Sequence, residues 1–526
     1  MALIVITADR SLMSEYRKNI FFGFTTSAPR GFVPDWFFYR FACKQVKVGP
    51  GGEASVAPYA VRKLEAILLA NGFDRSDVVV AHPDHIEECV GDDTRVIAIS
   101  VMDPLGIGPV TSGLVGLFGG EPYTAQSFRR LMKGVSRARQ GRDIRVVVGG
   151  PGTWQLASRN SQDLFGIDTL VYGEAESVAP ALFKAATNGL RLPRCVEGKP
   201  VPIEDSPDIV APSICGLIEI SRGCGRGCSF CAPGRMKLRS KPLRHILAEA
   251  KTNIRFGETN VILHGEDVFR YGAKAIQPNR DAVVRLFEAV SQLEGLRTLN
   301  VSHGAFSSIL AEPSLLPAIS EILGLDENHW KAYEVGLETG STRLVKTHMT
   351  GKCKPFRPED WPEVVEQATA ISNDAHWLPV ATLIMGLPGE TGDDVAKTLE
   401  LVDDLADYWI MLYPLFFVPL GATVGEEFFA NGRMLQEHWE LFLRCWEINL
   451  KQYKKTFADI LPYTNYSYWE KLVMRTFLNV SVRRGLDGIR RARRALREGR
   501  PFRFGHNLYR YPRSSLHDQS ALKSGH

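Results

Sequence analysis

Three thiols fall within eight residues in Cys224-Gly225-Arg226-Gly227-Cys228-Ser229-Phe230-Cys231, spaced Cys-x3-Cys-x2-Cys. Glycines at 223, 225 and 227 keep the loop free to wrap an inorganic centre, and a short apolar run ending at Ile220 leads into it. Thiolates at this spacing suit a cubane [4Fe–4S] cluster, whose irons are held by cysteine sulfur. Three thiolates leave one iron without a protein ligand, and an open metal position can take a substrate where a closed structural site cannot. A zinc knuckle is the alternative, but it needs a fourth Cys or His. The nearest histidine, His245, sits in a helical pattern, and Cys215 lies upstream beside the strand.

Three further stretches close apolar runs: His264-Gly265-Glu266-Asp267, Gly336-Leu337-Glu338-Thr339-Gly340-Ser341, and Ile384-Met385-Gly386-Leu387-Pro388-Gly389-Glu390-Thr391. A carboxylate accepts hydroxyl or ammonium donors, and glycine permits close approach of a ligand. Each alone is common. In this order, at this spacing after the cysteine loop, they resemble the motifs of the radical S-adenosylmethionine enzymes. The resemblance implies that Cys224, Cys228 and Cys231 hold the cluster, with the aromatic Phe230 before the last of them, and that the open iron chelates the amino and carboxylate groups of S-adenosylmethionine. It further implies that Gly265 and Glu266 hold the amino group, that the Glu338–Ser341 turn meets the ribose or methionine end, and that the Gly386–Gly389 turn stacks on adenine.

The elements that must position these residues read as strands near Ile220, Asn260–His264, Thr298–Ser302, Ala332–Leu337, Val380–Met385 and Trp409–Val418, with helical patterns between them. Six strands so connected predict a partial (β/α)6 barrel over residues 213–425, with its site at the carboxyl ends of the strands. Upstream, Leu3–Thr7, Val78–Ala81, Val96–Val101, Ile144–Val148 and Thr169–Tyr172 predict a parallel, Rossmann-like sheet over residues 1–190. Two of its strands end in the small-residue turns Val148-Gly149-Gly150-Pro151-Gly152 and Tyr172-Gly173-Glu174-Ala175-Glu176, where ligands of open α/β sheets sit.

Ahead of such a barrel, this arrangement resembles the cobalamin-binding domain of the cobalamin-dependent subgroup. That implies Gly149 and Gly150 along the nucleotide tail, Gly173 and Glu174 in the turn that closes the domain, and Asp103, Leu105 and Gly106 beneath the corrin. The subgroup's D-x-H-x-x-G ligand motif is absent. Asp9-Arg10-Ser11-Leu12-Met13-Ser14 carries serine at both the His and Gly positions, so no imidazole ligand to cobalt is expected there. His82 and His85 follow the second strand, and a polar loop histidine there reads as a cap or a solvated group. The aromatic insertion from Phe21 to Val61, with Phe32, Trp36, Phe37, Phe38, Tyr39 and Phe41, reads as a satellite cluster or as a shield for the corrin's upper face.

Residues 191–212, rich in Pro and polar side chains, are expected to be a linker, and 426–526 a mainly helical region ending in a basic tail. There Arg490, Arg491, Arg493, Arg494 and Arg497 are predicted to ring a helix with positive charge. A length of 526 residues with 44% hydrophobic content allows two or three cored domains. No apolar run reaches a membrane span. Nine cysteines, six of them scattered singly, argue against a disulfide framework and for a reducing compartment, so a cytoplasmic location is expected.

The resemblance implies a C-methyltransferase. A deoxyadenosyl radical would activate an sp3 carbon and methylcobalamin would methylate it, with an electron donor for the cluster and a protein or peptide substrate such as glutamine of methyl-coenzyme M reductase. Ring closure or carbon–carbon coupling on a lipid or tetrapyrrole is the alternative chemistry, and a cofactor-sensing protein the non-enzymatic one. No nucleic-acid partner is expected, because the basic tail shows no recognisable binding fold.

Overall fold

The computed structural model describes residues 2–498 apart from Phe32, Pro462, Tyr463 and Asn465. In the first part, Val/Ile-rich runs form six parallel strands: β1 (Ile4–Ala8), β2 (Val78–Val80), β3 (Val96–Ser100), β4 (Arg145–Gly149), β5 (Thr169–Gly173) and β6 (Cys195–Gly198), in the order β2-β1-β3-β4-β5-β6. Ile4, Val5 and Ile6 are all fully buried, as expected where helices cover both faces of a parallel sheet. The strand order reverses between β1 and β3, and the ligand crevice of such sheets lies outside the carboxyl ends at that point.

β6 corrects the expectation that 191–212 is only a linker. This edge strand is largely exposed and carries no hydrophobic run to signal it. It pairs with β5 because Gly173 and Gly198 lack side chains; a Cβ on Gly173, at φ +68°, would overlap the Gly198 carbonyl.

The second part opens with β7 (Leu217–Glu219) and a short antiparallel hairpin, β8 (Ser221–Arg222) with β9 (Arg239–Ser240), that brackets the cysteine loop. Then come β10 (Asn260–His264), β11 (Thr298–Val301), β12 (His303–Gly304), β13 (Lys331–Glu338), β14 (Trp377–Met385) and β15 (Met411–Phe416). β7, β10 and β11 form one parallel sheet and β12 to β15 another. Ser302 joins them, its N–H donating to the Leu263 carbonyl at 3.0 Å and its own carbonyl accepting from Glu334 N–H at 2.8 Å. The wall therefore runs as a six-position open barrel, with Tyr333, Trp361, Trp377, Phe269 and Phe287 buried between strands and helices.

Helix Gln436–Ile460 packs on β15 at the open edge, and helix Tyr468–Arg497 packs on that helix. Asn449 completes the edge of β15 as a strand would, accepting from Leu412 N–H at 2.8 Å and donating to its carbonyl at 2.7 Å. The last helix starts at a capping box, Ser467 with Glu470. It is not ringed by charge. Arg493 turns inward to Glu447 at 2.8 Å, while Arg490, Arg491, Arg494 and Arg497 share the solvent face.

The aromatic insertion divides. Phe38 stacks on Tyr123 at 3.7 Å in a small separate cluster with Cys43, whereas Phe22, Phe37 and Phe41 join the C-terminal helices through Phe457, Phe477 and Tyr466. Among the described residues no helix is long and apolar enough to cross a membrane.

Candidate functional site

Gly223, Gly225 and Gly227 adopt φ of 73°, 70° and 74°, left-handed backbone that glycine alone takes without strain. Alternate left-handed residues curl the loop so that Cys224 N–H meets the carbonyls of Pro233 and Met236, each at 3.2 Å, and Gly227 N–H meets that of Gly234 at 2.8 Å. Arg226, buried between two of the cysteines, pins the loop to the barrel through Asp267 at 3.0 Å, Ser308 at 2.7 Å and the Lys352 carbonyl at 3.0 Å. Sequence spacing gives no hint of that anchor.

All three cysteines are free thiols. Burial pushes each thiol up, Cys231 to about 12, while Lys352 pulls all three the other way. A positive metal centre would complete what the ammonium begins, so the donor set fits a cluster. Neither candidate fourth zinc ligand named in the sequence is free for the loop. His245 pairs with Asp208 at 3.0 Å and Cys215 lies buried against the Glu15 carbonyl. Among the described residues no three His, Cys, Asp or Glu side chains converge on one ion-sized point, and the thiolates of a cubane bind different irons.

The other motifs arrive at the same end of the barrel. Gly265 lets the chain pass close to Ser221, whose Oγ would lie 2.4 Å from an added Cβ. Half-buried Glu266 extends its charge to both Cys231 and His303. Glu338 sits at a bulge in β13 with φ +65°, a strained conformation for a non-glycine residue that costs about 1–3 kcal/mol. Its carboxylate pairs with Lys352 Nζ at 2.5 Å. Burial would lower the Lys352 pKa, but Glu338, with Cys228 and Cys231 as thiolates, outweighs it and holds the ammonium. Lys352 is therefore a site residue that no motif announces.

Ser341 is a correction. It is fully buried, its hydroxyl donates to Asp394 at 2.5 Å, and its oxygen caps the helix from Thr342 to His348. Its role is to hold the turn, and none of it faces an open site.

The glycine turn after β14 has Gly386 at φ +84° and Gly389 at +78°. Gly386 N–H donates to Glu390 at 2.6 Å, and the same carboxylate oxygen accepts from His438 at 2.8 Å. His348 links this turn to the cysteine loop. Its Nε2 donates to the Pro388 carbonyl at 2.9 Å, which leaves Nδ1 to accept from the Ser229 hydroxyl at 2.9 Å, and Ser229 N–H returns to the His348 carbonyl at 2.8 Å. Phe230 packs beside this on the barrel core. Deeper in the lumen, burial drives His264 down to about 4, so it is neutral. Burial would lower His303 too, but Glu334, at 3.1 Å, holds it above its ordinary value.

In the N-terminal sheet the expected cofactor residues are largely engaged by the protein itself. Gly150, at φ +107°, and Gly152 let the turn press on the end of β3; added Cβ atoms would lie 2.6 Å from the Val101 carbonyl and 2.5 Å from that of Met102. Gly149 has ordinary room. Asp103 organises its own loop, accepting from Gly108 N–H at 2.9 Å, Gln155 at 2.6 Å and Thr111 at 2.5 Å. Leu105 N–H is held by Gln155 at 2.9 Å, and Gly106 packs on Pro122. These shape the loop surface beside exposed Met102.

Glu174 is the larger correction: its carboxylate is spent on Arg222 at 3.0 Å and on Arg239, the two arginines of the β8–β9 hairpin, with Glu176 on Arg222 at 2.6 Å. His82 Nδ1 accepts from Asp84 N–H at 3.2 Å, so its proton lies on Nε2 and that nitrogen has no lone pair for a metal. Asp9, at the sheet's switch point, is buried and pushed up to about 6.

The two halves meet edge to edge. Gly116, after β3, packs on Phe416 at the end of β15, and its carbonyl accepts from Asn431 at 2.7 Å. Trp154, after β4, stacks on Phe428 with ring centres 6.4 Å apart, and Glu174, after β5, holds the hairpin next to Cys224.

Residues 218–402 match the family model of the radical SAM superfamily. Over 191 residues the chain is 27% identical to the tRNA-2-methylthio-N(6)-dimethylallyladenosine synthase of Mycobacterium bovis (strain ATCC BAA-935 / AF2122/97), covering 35% of each chain. The protein of the same name from Opitutus terrae is 26% identical over 200 residues, 36% of this chain and 38% of that one. The chain thus spans about a third of the length of these curated relatives. A solved structure of the radical S-adenosylmethionine methyltransferase TsrM from Kitasatospora setae, with tryptophan substrate and the analogue aza-SAM bound, has the same overall fold. It superposes with a TM-score of 0.52 over 80% of this chain and 75% of that one, at 15% identity.

Proposed function

Starting from a radical SAM domain at residues 218–402, we propose that this protein is a C-methyltransferase that uses methylcobalamin to methylate an unactivated sp3 carbon of a protein residue. The observation that carries the reading is the apposition just described. The carboxyl ends of a doubly wound sheet and of an open barrel, each the place where its fold holds ligands, meet through Gly116, Trp154 and Glu174. A corrin over one edge would then face a cluster on the other. When bound, the cluster and S-adenosylmethionine supply hydrogen-atom abstraction, and the corrin supplies the methyl group.

The chain's own residues bind and orient. Cys224, Cys228 and Cys231 hold the cluster and Arg226 holds their loop. Glu266 takes the amino group of S-adenosylmethionine, and the Gly386–Gly389 turn, braced by His348, meets the adenine. The loop of Asp103, Leu105 and Gly106 offers the surface under the corrin, with no imidazole from His82 to reach the metal. Glutamine of methyl-coenzyme M reductase is the substrate favoured by the resemblance, in the cytoplasm, with a separate electron donor.

Anaerobically reconstituted protein, supplied with hydroxocobalamin and methyl-deuterated S-adenosylmethionine, should retain one corrin, form 5′-deoxyadenosine and pass deuterated methyl to a glutamine-containing peptide. Protein that cleaves S-adenosylmethionine yet retains no corrin would overturn the methyltransferase reading.

A further inference from the structure

The helix Tyr468–Arg497 is 30 residues long, about 45 Å at 1.5 Å per residue, and one side of it has no partner among the described residues. At about 100° per residue, its exposed side chains gather in one broad face. The first half is apolar, with Trp469 71% exposed and Leu472, Val473 and Val480 beside it. Trp36, 68% exposed, extends this patch, since Trp36 packs on Phe37 and Phe37 on Phe477 of the helix. The second half is cationic: Arg484, Arg491, Arg494 and Arg497 are exposed and make no ion pair among the described residues, whereas Arg493, at the edge of this face, is paired to Glu447.

The sign of the unpaired charge selects the occupant. The chain beyond residue 498 carries Arg500, Arg503, Arg510, Arg513 and Lys523 against the single acid Asp518, so it shares the helix's charge and does not complement it. Nucleic-acid phosphates would suit the arginines but leave Leu472, Val473 and Val480 uncovered, because aliphatic side chains offer bases no stacking surface. An acidic polypeptide answers both halves: guanidinium groups pair bidentately with carboxylates, and Trp and Arg anchors such as Trp469 and Arg491 carry most of the energy of protein interfaces, with apolar neighbours excluding water around them.

We propose that this face docks an acidic protein segment whose apolar side chains seat on Trp469, Leu472 and Val473 and whose carboxylates pair with Arg491, Arg494 and Arg497. The inference rests on the reading that the substrate is a protein, and assigns the surface that captures it outside the barrel.

The test uses the full chain and three labelled probes: a synthetic peptide with leucines at helical spacing followed by glutamates, its lysine counterpart, and bulk tRNA. The acidic peptide should bind and the lysine peptide should not. Arg491→Glu with Arg494→Glu should weaken binding at least about tenfold and flatten its salt dependence, since exposed charges are screened over ~10 Å at 0.1 M salt. Trp469→Ser with Leu472→Ser should weaken it about as much while keeping the salt dependence. Circular dichroism and substrate-free cleavage of S-adenosylmethionine should stay unchanged in both variants. Tighter binding of tRNA, self-association abolished by the same substitutions, or acidic-peptide binding indifferent to both variants would each overturn the proposal. Absence of cleavage or of corrin with peptide binding intact would instead count against the methyltransferase reading alone.

Discussion

Arg222 lies two residues before Cys224 and serves three carboxylates at once: Glu174 at 3.0 Å, Glu176 at 2.6 Å and Glu219 at 2.9 Å. Arg222→Met keeps the aliphatic stem and removes the charge. For Glu176, burial alone would raise the carboxyl, but Arg222 and then Ser206 bring it from an ordinary 4.5 to about 2. That drop corresponds to about 3 kcal/mol at ~1.36 kcal/mol per pH unit. Removing one partner of a buried pair costs about 3–5 kcal/mol, because the survivors stay desolvated and unpaired. Arg222→Met should therefore lose about 3–5 kcal/mol in urea unfolding at pH 7, and a double-mutant cycle with Glu176→Gln should show strong coupling.

The pH dependence has a definite sign. A depressed carboxyl contributes its full stability above about 4.5 and loses it as pH falls toward the folded value of about 2. The native protein should weaken through that window, and the variant should weaken less. A loss under ~1 kcal/mol at pH 7, with an acid limb unchanged from the native one, would refute the claim that this arginine ties the two halves together.

Replacing Cys224, Cys228 or Cys231 with Ala should remove the broad visible absorbance of the reconstituted protein and the 5′-deoxyadenosine it forms; iron analysis and product chromatography check both. His348→Leu removes the hydrogen bonds to the half-buried Pro388 carbonyl and Ser229 hydroxyl, at about 0.5–1.5 kcal/mol for each. The affinity for S-adenosylmethionine, read from its perturbation of the cluster's electron paramagnetic resonance, should fall about tenfold or more, while His348→Gln, able to donate and accept, should restore most of it. His82→Ala should leave the spectrum of bound cob(II)alamin free of any change in nitrogen splitting, since the His82 Nε2 proton bars ligation.

The cysteine loop was legible because its residues are neighbours in the chain: Cys224, Cys228 and Cys231 and the three left-handed glycines lie within nine residues. The barrel strands were legible through their apolar runs, and Glu266 and Gly386 through the turns that close them. β6 was not, because an exposed edge strand needs no hydrophobic pattern. Ser341 looked like a ligand group because a serine after a strand can equally cap the helix that follows, and only its burial against Asp394 distinguishes the two.

By itself, then, the sequence determined the loop of three cysteines, the order of the motifs and the parallel α/β character of both halves, since each depends on residues close together in the chain or on periodic burial. Only the tertiary structure decided which charges meet. Lys352 reaches the thiols and Glu338, Arg226 reaches Asp267 across 41 residues, and Glu174 reaches Arg239 across 65. Such pairs leave no mark in sequence, because a buried charge selects its partner by distance in the folded protein, where desolvation makes an unpaired one costly.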